Sequence, residues 1–284
     1  MEFRKDITEL IKKRISKRTY LPDELPSEIL DKIYIILKTY TRGIFGNTAT
    51  YYLVDCKDGF NKTKEKIGTY GFISGARYFI AGIIHPKKYA FEDYGYLFEK
   101  IILELTALEL GTCWLGGTFS RSTFAKYINT DTDVIIPAVS PLGHVAPPGF
   151  KEKLIRRGAK ADKRKNWNEL FFVQDINSPL SEESAAPFAI PLEMVRLAPS
   201  ASNKQPWRII RTDKHFDFYL KRTPGYNKLF RNIDLQKIDM GIAMAHFELT
   251  CQELNLKGEW KVMPVQKIAG GLEYICSWSI CSEL

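Results

Sequence analysis

The sequence predicts an α+β chain in which one structural unit occurs twice, as two diverged copies within 284 residues. Two observations carry this expectation. The first is a helix-to-strand corner. Ile190, Met194 and Leu197 recur at helical spacing, and the small polar run Ala198-Pro-Ser-Ala-Ser-Asn-Lys-Gln205 follows. Beyond Pro206, Trp207, Ile209 and Ile210 read as a buried strand. The second is self-similarity. Setting Asn47 against Asn203 places Tyr51 on Trp207, Leu53 on Ile209 and Val54 on Ile210, with helix-like Leu30, Ile33 and Leu37 in front. Further on, Glu104-Leu-Thr-Ala-Leu-Glu-Leu-Gly111 reads against Glu248-Leu-Thr-Cys-Gln-Glu-Leu-Asn255.

These patterns divide the chain into a first half, 1–170, a connector, 171–188, and a second half, 189–284. The first helix is expected to start at Asp6 as N-cap, to bury Ile7, Leu10, Ile11 and Ile15, and to stop near Ser16. A long helix covers Leu97–Leu110 and ends at Gly111, followed by a Trp114-Leu-Gly-Gly117 loop. Ile176-Asn-Ser-Pro-Leu-Ser-Glu-Glu-Ser-Ala-Ala-Pro187 has the composition of a linker.

A content of 45% hydrophobic and 13% aromatic residues is that of a folded domain. The N-terminus is charged and lacks the apolar core of a signal peptide, so a cytoplasmic location is expected. Apolar runs such as Tyr78–Ile84 are too short to span a bilayer. Five cysteines without a Cys-x-x-Cys argue against a disulfide framework, and the four histidines show no metal-ligand spacing. The net charge of +8 is concentrated in Lys151, Lys153, Arg156, Arg157, Lys160, Lys163, Arg164 and Lys165. That run has no aromatic platform or recognition-helix pattern beside it, so it reads as a solvated face rather than a nucleic-acid surface.

The corner offers the Ser200, Ser202, Asn203 and Gln205 side chains and several backbone N–H groups to one planar polar ligand. Composition alone is equally that of an ordinary hydrogen-bonded turn. Arg14-Ile-Ser-Lys-Arg18 sets two guanidiniums around a hydroxyl, which suits a phosphate monoester, although a basic helix end also answers the helix dipole. Gly116 and Gly117 permit close backbone approach to a ligand or form a plain loop. No Gly-x-Gly-x-x-Gly and no Gly-x-x-x-x-Gly-Lys-Ser/Thr is present, which excludes the usual dinucleotide and P-loop signatures.

Taken together, Arg14-x-Ser-x-Arg18, Leu108-Glu-Leu-Gly-Thr-Cys-Trp-Leu-Gly-Gly117, Val134-Ile-Ile-Pro-Ala-Val-Ser-Pro-Leu-Gly-His-Val145 and Ala198-Pro-Ser-Ala-Ser-Asn-Lys-Gln-Pro-Trp207 resemble the nitroreductase family of FMN-dependent flavoproteins. The resemblance implies the nitroreductase fold, with mainly antiparallel sheets flanked by helices, doubled so that one chain mimics the family's homodimer. It implies FMN bound by Arg14, Ser16, Arg18, Leu115, Gly116, Gly117, Arg164 and Lys165 from one side and by Pro199, Ser200, Ser202, Asn203 and Gln205 from the other. Gly116 and Gly117 would lie near the flavin N5, Trp207 would pack behind the corner, and Tyr94 or Tyr96 would cover the ring.

NADH or NADPH would be the reductant, and an electron-poor small molecule, a nitroaromatic or a quinone, the acceptor, by ping-pong hydride transfer without a catalytic side chain or a metal. The corner of the first copy has decayed to Thr41-Arg-Gly-Ile-Phe-Gly-Asn-Thr48, so one site per chain is expected, in a monomer that acts as its own pseudo-dimer. The alternative is a flavin-binding protein or pseudoenzyme without turnover.

Overall fold

The computed structural model describes residues 6–57, 71–130, 133–158, 162–226, 232–264 and 271–281. Lys160 of the basic run lies outside them, as do the side chains of Lys151 and Arg156. Helix α1 (Ile7–Lys13) buries Ile7, Leu10 and Ile11. Asp6 stands at its N-cap without making a capping bond. The carboxylate of Glu253 accepts from the N–H groups of Ile7 and Thr8 instead, at 2.5 and 3.3 Å. A carboxylate from the second half thus answers both the orphan donors and the positive pole of the helix. Ile15, expected on the buried stripe, is 39% exposed, because the backbone turns extended from Arg14 onward.

Helix α2 (Ser27–Thr39) leads into β1 (Ala49–Asp55), which pairs with β2 (Tyr78–Ile84). Helix α3 (Ala90–Ala107) crosses to β3 (Gly111–Thr112), and α4 (Arg121–Ile128) precedes β4 (Val139–Gly143). These strands form an antiparallel sheet in the order β1-β2-β4-β3. After α5 (Phe150–Gly158), β5 (Phe171–Val173) and the short α6 (Glu182–Ala185), the plan recurs. Helix α7 (Ala189–Leu197) leads to β6 (Trp207–Arg211) and β7 (His215–Leu220); α8 (Leu235–Glu253) leads to β8 (Gly258–Lys261) and β9 (Glu273–Ile280). Their order, β6-β7-β9-β8, matches that of the first sheet.

The expected connector 171–188 is more than a linker, because its first residues are β5. Phe171 pairs parallel with Ile209, which makes the second sheet mixed and five-stranded. Trp167 holds Phe171 edge-on at 4.6 Å between ring centroids. No described helix is long and apolar enough to cross a membrane.

Helices α3 and α8 form the seam between the halves and are buried on most sides. They run parallel, with contacts advancing in step: Glu92 meets Lys237 at 3.4 Å and Glu99 meets His246 at 2.9 Å. Glycine sets their separation. A Cβ on Gly95 would collide with the Ile238 carbonyl, and one on Gly241 with the Glu92 carbonyl. This reciprocal contact is what two like helices make about a two-fold axis.

Each glycine belongs to an Asp-x-Gly, Asp93-Tyr-Gly95 and Asp239-Met-Gly241. The helix ends also match. Glu109 and Asn255 both take left-handed backbone, at φ 62 and 57. Leu110 and Leu256 then donate back to Leu105 and Cys251, at 3.0 and 2.8 Å. This register places Trp114 opposite Trp260 and differs by two residues from the expected pairing of Glu104 with Glu248. The two Glu-Leu-Thr triplets occupy inequivalent turns.

Candidate active site

A cavity of about 440 Å³ opens between the halves. The first half lines it with Arg14, Ser16, Arg18, Trp114, Leu115 and Gly116, and the second with the 199–203 corner and Leu235, Ile238 and Asp239 of α8. Asp162 and Arg164 approach from the end of the first half.

The arginine motif is extended because it runs beside β3: Ser16 forms a parallel bridge with Thr112, and the Lys17 N–H donates to the Thr112 carbonyl at 2.9 Å. Alternation along extended backbone puts Arg14, Ser16 and Arg18 on one face. Arg14 is 7% exposed, with Nε 3.6 Å from the fully buried Glu99. Glu99 also accepts from Trp114 Nε1 at 2.7 Å and meets His246 Nε2 at 2.9 Å. Even so, Arg14 Nε and Nη1 and Arg18 Nη1 have no hydrogen-bond partner among the described residues. Buried cationic donors without acceptors are costly, and an anion in the cavity would satisfy them. Glu152 on α5 fixes the second arginine by accepting from the Arg18 N–H at 3.2 Å and the Thr19 hydroxyl at 2.9 Å.

The corner is held by its own side chains. Ser200 Oγ accepts from the Gln205 N–H at 2.9 Å, Gln205 Oε1 accepts from the Lys165 N–H at 2.8 Å, and Gln205 Nε2 donates to Asn203 Oδ1 at 3.1 Å. Ser202 and Tyr226 share a hydroxyl hydrogen bond at 3.0 Å. These bonds sustain positive φ at Ser202, Asn203 and Gln205, 50, 53 and 47, a run that is strained for residues with a Cβ. Beneath it, Asp239 Oδ1 accepts from the Ala201 N–H at 2.9 Å. Burial, with a smaller contribution from nearby Asp234, raises the Asp239 carboxyl well above its ordinary pKa.

Of the residues singled out in the sequence, Arg14, Ser16, Arg18, Leu115, Gly116, Arg164, Pro199, Ser200, Ser202 and Asn203 line the cavity. Gly117, Lys165 and Gln205 do not. The Lys165 ammonium turns toward Glu169 at 3.9 Å, and Gln205 is consumed as the brace of the corner. Gly116 approaches the other half, since a Cβ there would meet Leu235 Cδ2 at 2.5 Å. Its carbonyl accepts from Arg121 Nη2 at 2.5 Å. Trp207 is fully buried behind the corner. Tyr94 and Tyr96 are core residues rather than covers: their hydroxyls donate to the Ala138 carbonyl and the Glu248 carboxylate, both at 2.5 Å. Sequence reasoning missed Asp239 and Arg121. The paired Asp-x-Gly was the available sign of the first.

The corresponding aspartate of the first half is bonded differently. Asp93 accepts from the N–H groups of Phe45 and Asn47 and from Asn47 Nδ2, at 2.9, 3.0 and 2.9 Å. Phe45, in the Thr41–Thr48 segment, stacks on Tyr89 at 4.3 Å between ring centroids.

This architecture is the nitroreductase fold. A crystal structure of a putative nitroreductase from Thermotoga maritima MSB8 shares it, with a TM-score of 0.61 and 21% identity over 99% of this chain and 95% of that one. A family model described as "Putative TM nitroreductase" matches residues 6–251, and the chain belongs to that family of oxidoreductases. Nitroreductases solved with bound FMN from Desulfitobacterium hafniense DCB-2 and Bacteroides fragilis NCTC 9343 each match 51% of this chain. The first covers 92% of its own length at 20% identity and a TM-score of 0.41. The second covers 91% at 20% identity and 0.40. No curated protein matches the sequence.

Proposed function

We propose that the cavity binds a single FMN and that the chain is an FMN-dependent oxidoreductase, passing electrons from NADH or NADPH to an electron-poor acceptor such as a nitroaromatic or quinone. The observation that carries this reading is that Arg14 and Arg18, whose buried donors lack partners among the described residues, line a cavity that both halves complete. A phosphate monoester brings nearly two negative charges and three acceptor oxygens to such donors. The cavity volume lies within the usual range for small-molecule sites.

When bound, the flavin supplies the hydride chemistry, and the protein supplies position and charge. Arg14, Ser16 and Arg18 hold the phosphate. The Pro199–Asn203 corner and Gly116, which line the cavity from opposite halves, would hold the ring system, and Arg164 would add positive charge. The Leu235, Ile238 and Ile242 side chains exclude water from the apolar side. The halves act as an internal pseudo-dimer, in which Asp93 stands at the mirror position with both oxygens already accepting. Titration of the purified protein with FMN, followed by anaerobic addition of NADH or NADPH, tests the reading. Binding with bleaching of the flavin band supports it, binding without reduction identifies a flavin-binding protein without turnover, and absence of binding refutes it.

A further inference from the structure

Two aspartates occupy equivalent turns of α3 and α8, each two residues before the glycine that packs against the opposite helix. Their surroundings differ. Asp93 receives three N–H donors from its own corner, so both its oxygens act as acceptors. Asp239 receives one, from Ala201 to Oδ1, and its Oδ2 has no partner among the described residues. The residue is 2% exposed and lines the cavity. A carboxylate buried with a single hydrogen bond is unfavourable, and burial raises the Asp239 carboxyl well above its ordinary pKa, which favours the neutral form. A neutral carboxyl has one O–H to donate, and none of the described residues receives it.

We propose that Asp239 is a recognition residue that donates a hydrogen bond from Oδ2 to an acceptor atom, a carbonyl oxygen or unprotonated ring nitrogen, on the edge of the bound ring system. The proposal rests on the flavin reading. It adds a contact at the ring end of the ligand, separate from the guanidiniums at the phosphate end. At the corresponding turn of the first half both oxygens of Asp93 already accept, from Phe45 and Asn47, so that carboxyl has no oxygen left without a partner.

Asparagine reproduces the proposed state of Asp239, since its carbonyl can accept from Ala201 while its amide donates to the ligand. Leucine keeps the size and removes both functions. Dissociation constants of FMN and of riboflavin, which lacks the phosphate, are measured by fluorescence quenching for the unmodified protein, Asp239→Asn and Asp239→Leu, with thermal melting of each unliganded protein. Asp239→Asn should bind both flavins within about threefold of the unmodified protein, and Asp239→Leu should bind both about ten- to hundredfold more weakly. Undiminished binding by a folded Asp239→Leu overturns the proposal, as does an equal loss in a folded Asp239→Asn. A loss confined to FMN would place the effect at the phosphate and also overturns it. Failure of the unmodified protein to bind either flavin refutes the flavin reading itself.

Discussion

Arg14→Ala removes a guanidinium that faces two ways. It lines the cavity with Nε and Nη1 buried and without hydrogen-bond partners among the described residues, and its Nε lies 3.6 Å from the core carboxylate of Glu99. Charge-assisted bonds to a phosphate contribute about 1.5–3 kcal/mol, so the FMN dissociation constant should rise about ten- to hundredfold. The effect on folding should be smaller than the roughly 3–5 kcal/mol of a buried ion left without a partner, because Glu99 keeps Trp114 and His246. The assay is a titration of both FMN and riboflavin, with guanidinium chloride unfolding as the control. Riboflavin affinity should change by less than about threefold, since riboflavin carries no phosphate for Arg14 to hold. Arg42→Ala, in the exposed decayed corner, should leave both affinities unchanged. Equal weakening of FMN and riboflavin by Arg14→Ala would refute a phosphate contact and assign the effect to collapse around Glu99.

Gly241→Ala or Gly95→Ala sets a methyl against a backbone carbonyl of the opposite helix and should destabilise the chain by about 1–3 kcal/mol or more, read from the denaturation midpoint. The folded-state pKa of Asp239 is raised above its ordinary 3.8, so its contribution to stability is full below that pH and is lost as pH rises toward the folded value. Asp239→Asn should therefore flatten the decline of unliganded stability with rising pH, and an unchanged pH profile would show the carboxyl to be ionised in the fold. Gln205→Leu removes the acceptor of the Lys165 N–H and a donor to Asn203 Oδ1 and should cost about 1–3 kcal/mol of stability. It should also weaken FMN binding although Gln205 does not line the cavity, a combination that titration and unfolding report separately.

The 198–207 corner is legible in the sequence because small polar residues between a helical and a strand-like pattern leave few other structures open. The extended arginine motif is legible as chemistry but not as geometry: Ile15 reads as helical because apolar spacing cannot show where β3 captures the chain. Gln205 looks like a ligand contact because its amide suits one, yet the half-buried Lys165 N–H takes the same oxygen. Strand β5 is three residues long and carries no pattern of its own; its pairing depends on β6. The seam between α3 and α8 depends on backbone approach at two glycines, and the repeated Asp-x-Gly marking it is overshadowed by a chance Glu-Leu-Thr identity two residues out of register. Asp239 escapes notice with it, since its significance lies in a partner it lacks among the described residues.

The most direct test of the account is the ratio of flavin to protein in the reconstituted chain, measured by absorbance against amino-acid analysis, with the mass in solution from light scattering. One FMN per 32.6 kDa chain, retained in a monomer, is the predicted result. A ratio near two would mean that the decayed corner is a live site, and release of FMN with unfolding on dilution to a monomer would mean that the halves pair between chains. Either result would contradict a single site built by the two halves of one chain.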